Sequence, residues 1–192
     1  MNIYFDTEFT GLKKDTQLIS IGLISEDGKE FYGEFASINT ELLDDWIIEN
    51  VLMNTAKYGE VNETDIVVNE SDYHFGTREE IQEELKNWLS QFDEVQLISD
   101  VCHYDMVLFI DIFGSAFDLP DNVSPVCYDI NQDIASYYEE SQKDAFDRNR
   151  EDILEEHGIT IVGQKHNSLY DARVIQQIYN ILNEENYYIK TV

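Results

Sequence analysis

Basic residues are scarce in this chain. Its 12 Lys and Arg stand against 40 Asp and Glu, a formal net charge of −28, and a field of that sign repels nucleic acid at long range. On charge alone a phosphate-rich partner is a poor guess, and an acidic protein that imitates DNA with its own carboxylates is a natural reading. Cysteine is nearly absent too. Cys102 and Cys127 form no CxxC pair and are too few for a disulfide framework, so both are expected to be reduced thiols in a cytoplasmic protein. Long apolar runs are missing: the central stretch from Met106 to Ile110 is bounded by Asp105 and Asp111, far short of the ~20 residues a membrane-spanning helix needs. The N-terminus shows no basic stretch followed by an apolar one. Neither export nor a membrane span is expected. With 2 Pro, 9 Gly and no repeat or low-complexity segment, no linker divides the chain, and residues 1–192 read as a single domain.

What is present suits a packed core. The 192 residues are 43% hydrophobic, enough to fold without disulfides or a structural metal despite the charge. Residues 2–6 read as a short strand, 17–25 as a second and 29–37 as a third, with Asp27-Gly28 marking a hairpin between the last two. Residues 41–53 read as a helix and 54–76 as an irregular excursion. Thr77-Arg78-Glu79-Glu80 is a capping box ahead of Ile81, Leu85, Trp88, Leu89 and Phe92 at helical spacing. A strand at 95–99, a helix at 103–113, a strand at 125–128, acidic helices at 129–140 and 144–157 and a final helix at 168–184 complete the pattern. Three strands followed by alternating helices and strands specify an α/β fold: a mixed β-sheet, antiparallel meander first and parallel strands after, flanked by α-helices.

Three stretches concentrate the chemistry. In FDTEFTGL, residues 5–12, Asp6 and Glu8 stand two apart on a strand and so point to the same face, where like charges repel unless something positive lies between them. Two hard oxygen ligands on one strand suit Mg²⁺ or Mn²⁺, and the turn signal Thr10-Gly11 places them where the sheet meets solvent. SDVCHYDMVLF, residues 99–109, offers two more aspartates. Asp100 follows the strand directly and reads otherwise as a helix cap or turn residue; Asp105, on the helix beside core-facing residues, is the more constrained and the preferred ligand. In KHNSLYDAR, residues 165–173, Asn167-Ser168 can cap the helix that Leu169 begins. Asp171 then falls in the first turn and His166 on the approach loop over the same cleft; a lone histidine is more often a surface or core residue than a catalyst, and the acid at fixed spacing together with the other two stretches reverses that reading.

These stretches resemble a known family. FDTEFTGL resembles the first motif of the DEDDh 3′–5′ exonucleases, commonly FDTETTGL, and departs from it only at Phe9. YDMVLF is similar to the second motif, in which Asp follows an aromatic residue, and HNSLYDAR to the third, which pairs His with Asp. The motifs come in family order and span residues 5–173, nearly the whole chain. The resemblance is greatest to small stand-alone exonucleases of the ribonuclease T, oligoribonuclease and, above all, ribonuclease AS kinds of bacteria and phages. It implies a ribonuclease H-like fold and a site in which Asp6, Glu8, Asp105 and Asp171 hold two divalent cations, Mg²⁺ or Mn²⁺, with His166 as the base. The implied activity is metal-dependent 3′–5′ hydrolysis of phosphodiester bonds in single-stranded nucleic acid with a free 3′ end. RNA is preferred, nucleoside 5′-monophosphates are released, and RNA processing is the setting. A DNA exonuclease of the proofreading or repair type would use the same ligands. A non-catalytic acidic DNA mimic is the reading from another class, and it would need neither the ligand set nor His166. Relatives of the ribonuclease T and oligoribonuclease kind imply a homodimer.

Expected substrate contacts follow from the same motifs. By analogy Thr10 meets the 3′-hydroxyl and Leu12 wedges between the last two bases, unless Leu12 belongs to the core. Phe9 either stacks on a base or packs inward, and Tyr104, the aromatic residue before Asp105, is counted with the contacts. Lys143, Arg148, Arg150, Lys165 and Arg173 are a local enrichment of positive charge. They form either a strip that guides phosphates, with Lys165 and Arg173 touching substrate, or, for Arg148 and Arg150, ion pairs with Asp144, Asp147, Glu151 or Asp152 along one helix.

Overall fold

The computed structural model describes residues 1–59, 61–66 and 69–189. Six strands form one sheet: β1 (Asn2–Phe9), β2 (Leu18–Ser25), β3 (Glu30–Phe35), β4 (Tyr73–Gly76), β5 (Gln96–Ser99) and β6 (Tyr128–Asp129), in spatial order β4-β3-β2-β1-β5-β6. β1, β2 and β3 are the antiparallel meander, turned between β2 and β3 at Asp27-Gly28 with Gly28 at φ 86°. The other three strands each join a neighbour in parallel. The described helices are α1 (Asp45–Asn50), α2 (Glu63–Ile66), α3 (Arg78–Leu89), α4 (Cys102–Phe113), α5 (Asn131–Tyr137), α6 (Gln142–Asp147), α7 (Arg150–Glu156) and α8 (Ser168–Ile189). Among the described residues no helix is long and apolar enough to cross a membrane.

Four local expectations change. β1 does not end at Asp6 but continues to Phe9, so Asp6 and Glu8 lie within a strand still paired to β2 through Asp6↔Gly22 and Glu8↔Ser20. The helix expected at 41–53 is broken into α1 and two flanking 3-10 turns. The excursion at 54–76, of which residues 60, 67 and 68 lie outside the described residues, contains α2 and the strand β4, which pairs with β3 from Tyr32↔Tyr73 to Phe35↔Gly76. The buried carboxylate of Glu34 gathers this segment, accepting from Ala56 N at 2.7 Å, Lys57 N at 2.9 Å and the Tyr73 hydroxyl at 3.3 Å. Finally, the acidic stretch 144–157 is two helices, because Arg148 and Asn149 have extended backbone between α6 and α7.

Both faces of the sheet are covered, which is why every residue of β2 is buried. On one face Ile3, Phe5, Leu23 and Leu97 pack with Leu85 and Leu89 of α3 and Phe109 of α4. On the other Tyr4, Ile24 and Ile98 pack with Ile134 of α5, Ile153 of α7 and Ile175 and Ile178 of α8. Side chains alternate along a strand, so Asp6 and Glu8 lie on the Tyr4 side, facing α8. That helix comes unusually close to the sheet at Gly22: a Cβ there would sit 2.2 Å from Leu169 N, and a hydrogen bond of 2.9 Å joins Ser20 Oγ to Ser168 Oγ beside it. A side chain at position 22 is therefore sterically excluded unless α8 moves away.

Candidate active site

The site forms where two strands part. β1 keeps its pairing with β2 as far as Phe9, but it is paired with parallel β5 only from Asn2 to Tyr4. Beyond that point the β5 side of β1 has no strand partner, and a cleft opens past the carboxyl end of β5, where open α/β sheets characteristically bind ligands. Asp105 from α4 fills the gap. Its Oδ1 accepts from Thr7 N at 3.2 Å and Thr7 Oγ1 at 2.6 Å, and its Oδ2 accepts from Ser99 Oγ at the end of β5. One carboxylate thus replaces the missing rungs of the ladder and lies 1% exposed beneath Asp6.

α8 brings the second half. Asn167 caps it: Oδ1 accepts from Leu169 N and Tyr170 N, each at 3.2 Å, while Nδ2 donates to Tyr32 OH at 3.1 Å and Asn54 O at 2.9 Å. The cap therefore ties the helix start to both the sheet and the chain after α1. Asp171 lies one turn on, and its Oδ2 accepts from His166 N at 2.9 Å. His166 has φ 62°, a left-handed conformation uncommon for a side-chain-bearing residue, which turns its N–H toward Asp171. Its Nδ1 stands 3.9 Å from Glu8 Oε1, and its ring meets Trp46 of α1 edge-on with centroids 5.2 Å apart.

Two groups of ligand atoms result, each with members within 4.8 Å of one another: Glu8, His166 and Asp171, and Asp6, Asp100 and Asp105. All line one cavity of about 360 Å³. The structure thus brings together the five residues singled out as Asp6, Glu8, Asp105, His166 and Asp171. It adds Asp100, the aspartate set aside in favour of Asp105, so the two do not exclude each other. Trp46, Phe146, Arg150 and Glu151 also line the cavity. Arg150 and Glu151 belong to the basic cluster and its acid partners read from the sequence, whereas nothing local marks Trp46 and Phe146, both exposed in the fold.

The expected substrate contacts divide. Leu12 is 73% exposed at the cavity mouth, which removes its core reading. Phe9 lines the cavity and packs inward at once, stacked on Tyr104 with centroids 5.4 Å apart. Tyr104 serves as its support and does not line the cavity itself. Thr10 does not reach the cavity: it is buried in the turn, its hydroxyl accepting from Gln17 N at 3.0 Å. Lys165 lines the cavity but is paired with Glu151 at 2.8 Å. Arg173 lies two residues past Asp171, about 200° round the helix, and forks onto Glu30 at 2.7 and 2.8 Å, away from the cavity. The remaining members of the basic cluster are paired as well, Lys143 with Asp147, Arg148 with Glu140 and Arg150 with Asp100. The two arginines find partners outside the helix they were expected to share, since the break at Arg148-Asn149 turns them apart.

Negative charge is concentrated here, with Arg150 and Lys165 as the cations among the described lining residues. Burial, and then the neighbouring charges of Asp105, Asp171, Glu8 and Asp100, push Asp6 well above the usual carboxylate range. Burial followed by Asp171 and Asp105 does the same to Glu8, and burial followed by Asp100 and Glu151 to Asp171. Asp105 is pushed up to about 7 by burial, although its bonds from Ser99 and Thr7 oppose the rise. His166 moves the other way: burial and then Lys165 lower it below the ordinary imidazole value, which favours the neutral ring. Clustered hard oxygen donors that resist ionising together are the donor set a pair of dications fits.

A mixed sheet with this strand order and an acid cluster at its parting strands define a nuclease-type α/β domain, and comparisons with known proteins agree. The chain belongs to the 3′–5′ exoribonuclease Rv2179c-like domain family, whose model matches residues 1–182. The 3′–5′ exoribonuclease Rv2179c of Mycobacterium tuberculosis strain H37Rv is 25% identical over 134 residues, 69% of this chain and 73% of that protein. Among solved structures, the nuclease domain of 3′hExo, a DEDDh family member bound to rAMP, superposes with a TM-score of 0.65 at 17% identity, covering 96% of this chain and 92% of that one. Pop2p of S. pombe in its Mg²⁺- and Mn²⁺-bound form superposes with a TM-score of 0.62 at 17% identity, covering 93% and 81%. The fold is the ribonuclease H-like fold of DEDDh nucleases.

Proposed function

We propose that this protein is a divalent-metal-dependent 3′–5′ exoribonuclease that shortens single-stranded RNA and releases nucleoside 5′-monophosphates. The observation that carries the reading is the convergence of four carboxylates from β1, α4 and α8 on one cavity with the His166 imidazole 3.9 Å from one of them. The family's exoribonuclease description and the rAMP bound by a protein of the same fold support RNA over DNA. A subset of carboxylates gathered into one cavity beside His166 speaks against a DNA mimic, which would need its acids only on the surface.

Asp6, Glu8 and Asp171 would hold one dication, and Asp6 with Asp105 a second. Bound there, the ions supply Lewis-acid stabilisation of charge on the phosphodiester and a more acidic water. His166 takes the proton of the attacking water at Nδ1, the ring nitrogen that faces Glu8, and the Glu8 carboxylate stabilises the imidazolium so formed. Asp171 fixes the loop that presents His166 by accepting its main-chain N–H. Leu12, Phe9 and Trp46 form an apolar rim on which the terminal bases rest, which suits single strands because every base has an apolar face.

The test is a panel of 5′-labelled RNA and DNA oligonucleotides with Mg²⁺, Mn²⁺ or EDTA. Stepwise loss from the 3′ end of RNA, stopped by EDTA, is expected. Faster shortening of DNA moves the reading to a DNA exonuclease, and intact RNA and DNA with either ion overturn it.

A further inference from the structure

Asp100 and Arg150 form an assembly that the four-carboxylate site does not require. Asp100 turns off the end of β5, and its ligand oxygen lies within 4.8 Å of those of Asp6 and Asp105. Arg150, at the start of α7, donates from Nε to Asp100 Oδ2 at 2.8 Å. The same guanidinium is fixed at its other end, with Nη1 donating to Ala145 O and Arg148 O at 2.8 Å each and Nη2 to Asn131 Oδ1 at 2.6 Å. Asn131 closes the circuit by donating from Nδ2 to Asp100 O at 2.5 Å. The Arg150 and Asp100 side chains are only 12% and 15% exposed. Among the described residues nothing donates to Asp100 Oδ1, so the carboxylate is anchored through one oxygen and leaves the other unengaged.

A carboxylate this enclosed beside two others is costly unless it serves the group they bind. Charge balance shows how the cost is contained. Asp6, Glu8, Asp105 and Asp171 carry four negative charges, which two dications neutralise; a fifth acid would leave an excess, and the fixed guanidinium of Arg150 removes it. Arg150 is planar, always charged and held by four hydrogen bonds, so it can aim Asp100 without leaving to bind phosphate.

We propose that Asp100 is a fifth carboxylate of the site, holding the dication on the Asp6–Asp105 side, and that Arg150 is the positioning residue that aims and neutralises it. This rests on the exonuclease reading above and adds a residue outside the four implied ligands. Asp100→Asn is nearly isosteric and its carbonyl can still accept from Arg150, so it removes charge with little disturbance; Asp100→Ser is the second variant should that one fail to melt cooperatively. Binding of Mn²⁺ to the metal-free full chain is measured by calorimetric titration and by the free-ion electron paramagnetic resonance signal. Two ions are expected for the wild type. In the Asp100 variant one of the two ions should lose about 10- to 100-fold in affinity while the other stays within about twofold, and Asp152→Asn, which removes an acid elsewhere on α7, should change neither. Both ions bound by a folded Asp100 variant with wild-type affinity overturn this inference alone. A wild type that takes up no Mn²⁺ overturns the exonuclease reading and this inference with it.

Discussion

The two halves of the acid cluster are built in opposite ways. Around Asp6, Asp100 and Asp105 the acids are locked: Asp105 uses both oxygens on Thr7 and Ser99, and Asp100 is clamped by Arg150. Around Glu8, His166 and Asp171 the only hydrogen bond within the trio is the one from His166 N to Asp171, and His166 leans on Trp46, which is 53% exposed. A rigid half suits holding an ion and a leaving group in place; a looser half, with an imidazole on a strained loop, suits moving a proton. Both draw on β1, so the strand acts as a shared wall whose alternate residues feed each side.

Asp6 borders both halves, and its loss should have the largest effect. Asp6→Asn is expected to lower turnover by at least about 10³-fold, the equivalent of several kcal/mol of charge stabilisation; single-turnover assays on an RNA oligonucleotide measure this, and a loss of less than tenfold would sink the shared-wall picture. His166→Ala sharpens the contrast because it removes only the side chain proposed to take the proton. Turnover should fall about 10²- to 10⁴-fold with Mn²⁺ stoichiometry unchanged, whereas equal loss of metal would show that His166 is chiefly a ligand.

Stability offers a third comparison. A group whose pKa is raised on folding contributes stability that is fully present below its unfolded value, near 4 for a carboxylate, and lost as the pH rises through its folded value, which is about 7 for Asp105. The metal-free protein should therefore melt at higher temperature at pH 6 than at pH 8. Saturating Mg²⁺ or Mn²⁺ at pH 8 should restore roughly 5–10 °C, from about 2.7 kcal/mol at a hundredfold excess over Kd. A melting curve for Asp6→Asn that responds to pH and metal as the wild type does would count against the cluster as the source. Asn167→Ala, which uncaps α8, should cost about 0.5–2 kcal/mol in urea unfolding and lower turnover more than metal affinity. The smallest effect concerns salt. With Lys143, Arg148, Arg150, Lys165 and Arg173 all ion-paired, the logarithm of the RNA dissociation constant should barely change with the logarithm of salt concentration, and a steep slope would reveal phosphate contacts elsewhere.

What could be read from the chain in advance follows the range of the interactions involved. The capping box at Thr77 and Glu80 forms as written, and β2, β3 and the start of α8 stand close to their expected limits, because turn chemistry and periodicity are local. The convergence of Asp6, Glu8 and Asp171 on one cavity was legible because Asp6 and Glu8 share a strand face and Asp171 follows a capped start at fixed spacing. Interactions across long separations left no such trace. β4 exists because Tyr73–Gly76 finds the edge of β3, and Asp100 meets Arg150 fifty residues away. Arg173 and Thr10 stay out of the cavity lining for a related reason: a salt bridge to Glu30 and a turn at Gln17 engage their polar atoms.

Gly22 carries no chemistry, sits in the second strand opposite Asp6 and does not itself line the cavity. Yet the hydrogen it bears in place of a methyl group sets how near Leu169 can come, and therefore how far Asp171 reaches toward Asp6 and Glu8. An activity screen blind to structure would score an alanine at this position as though a reacting group had been struck out. The protein's reach across its own cleft is calibrated by an atom it leaves off.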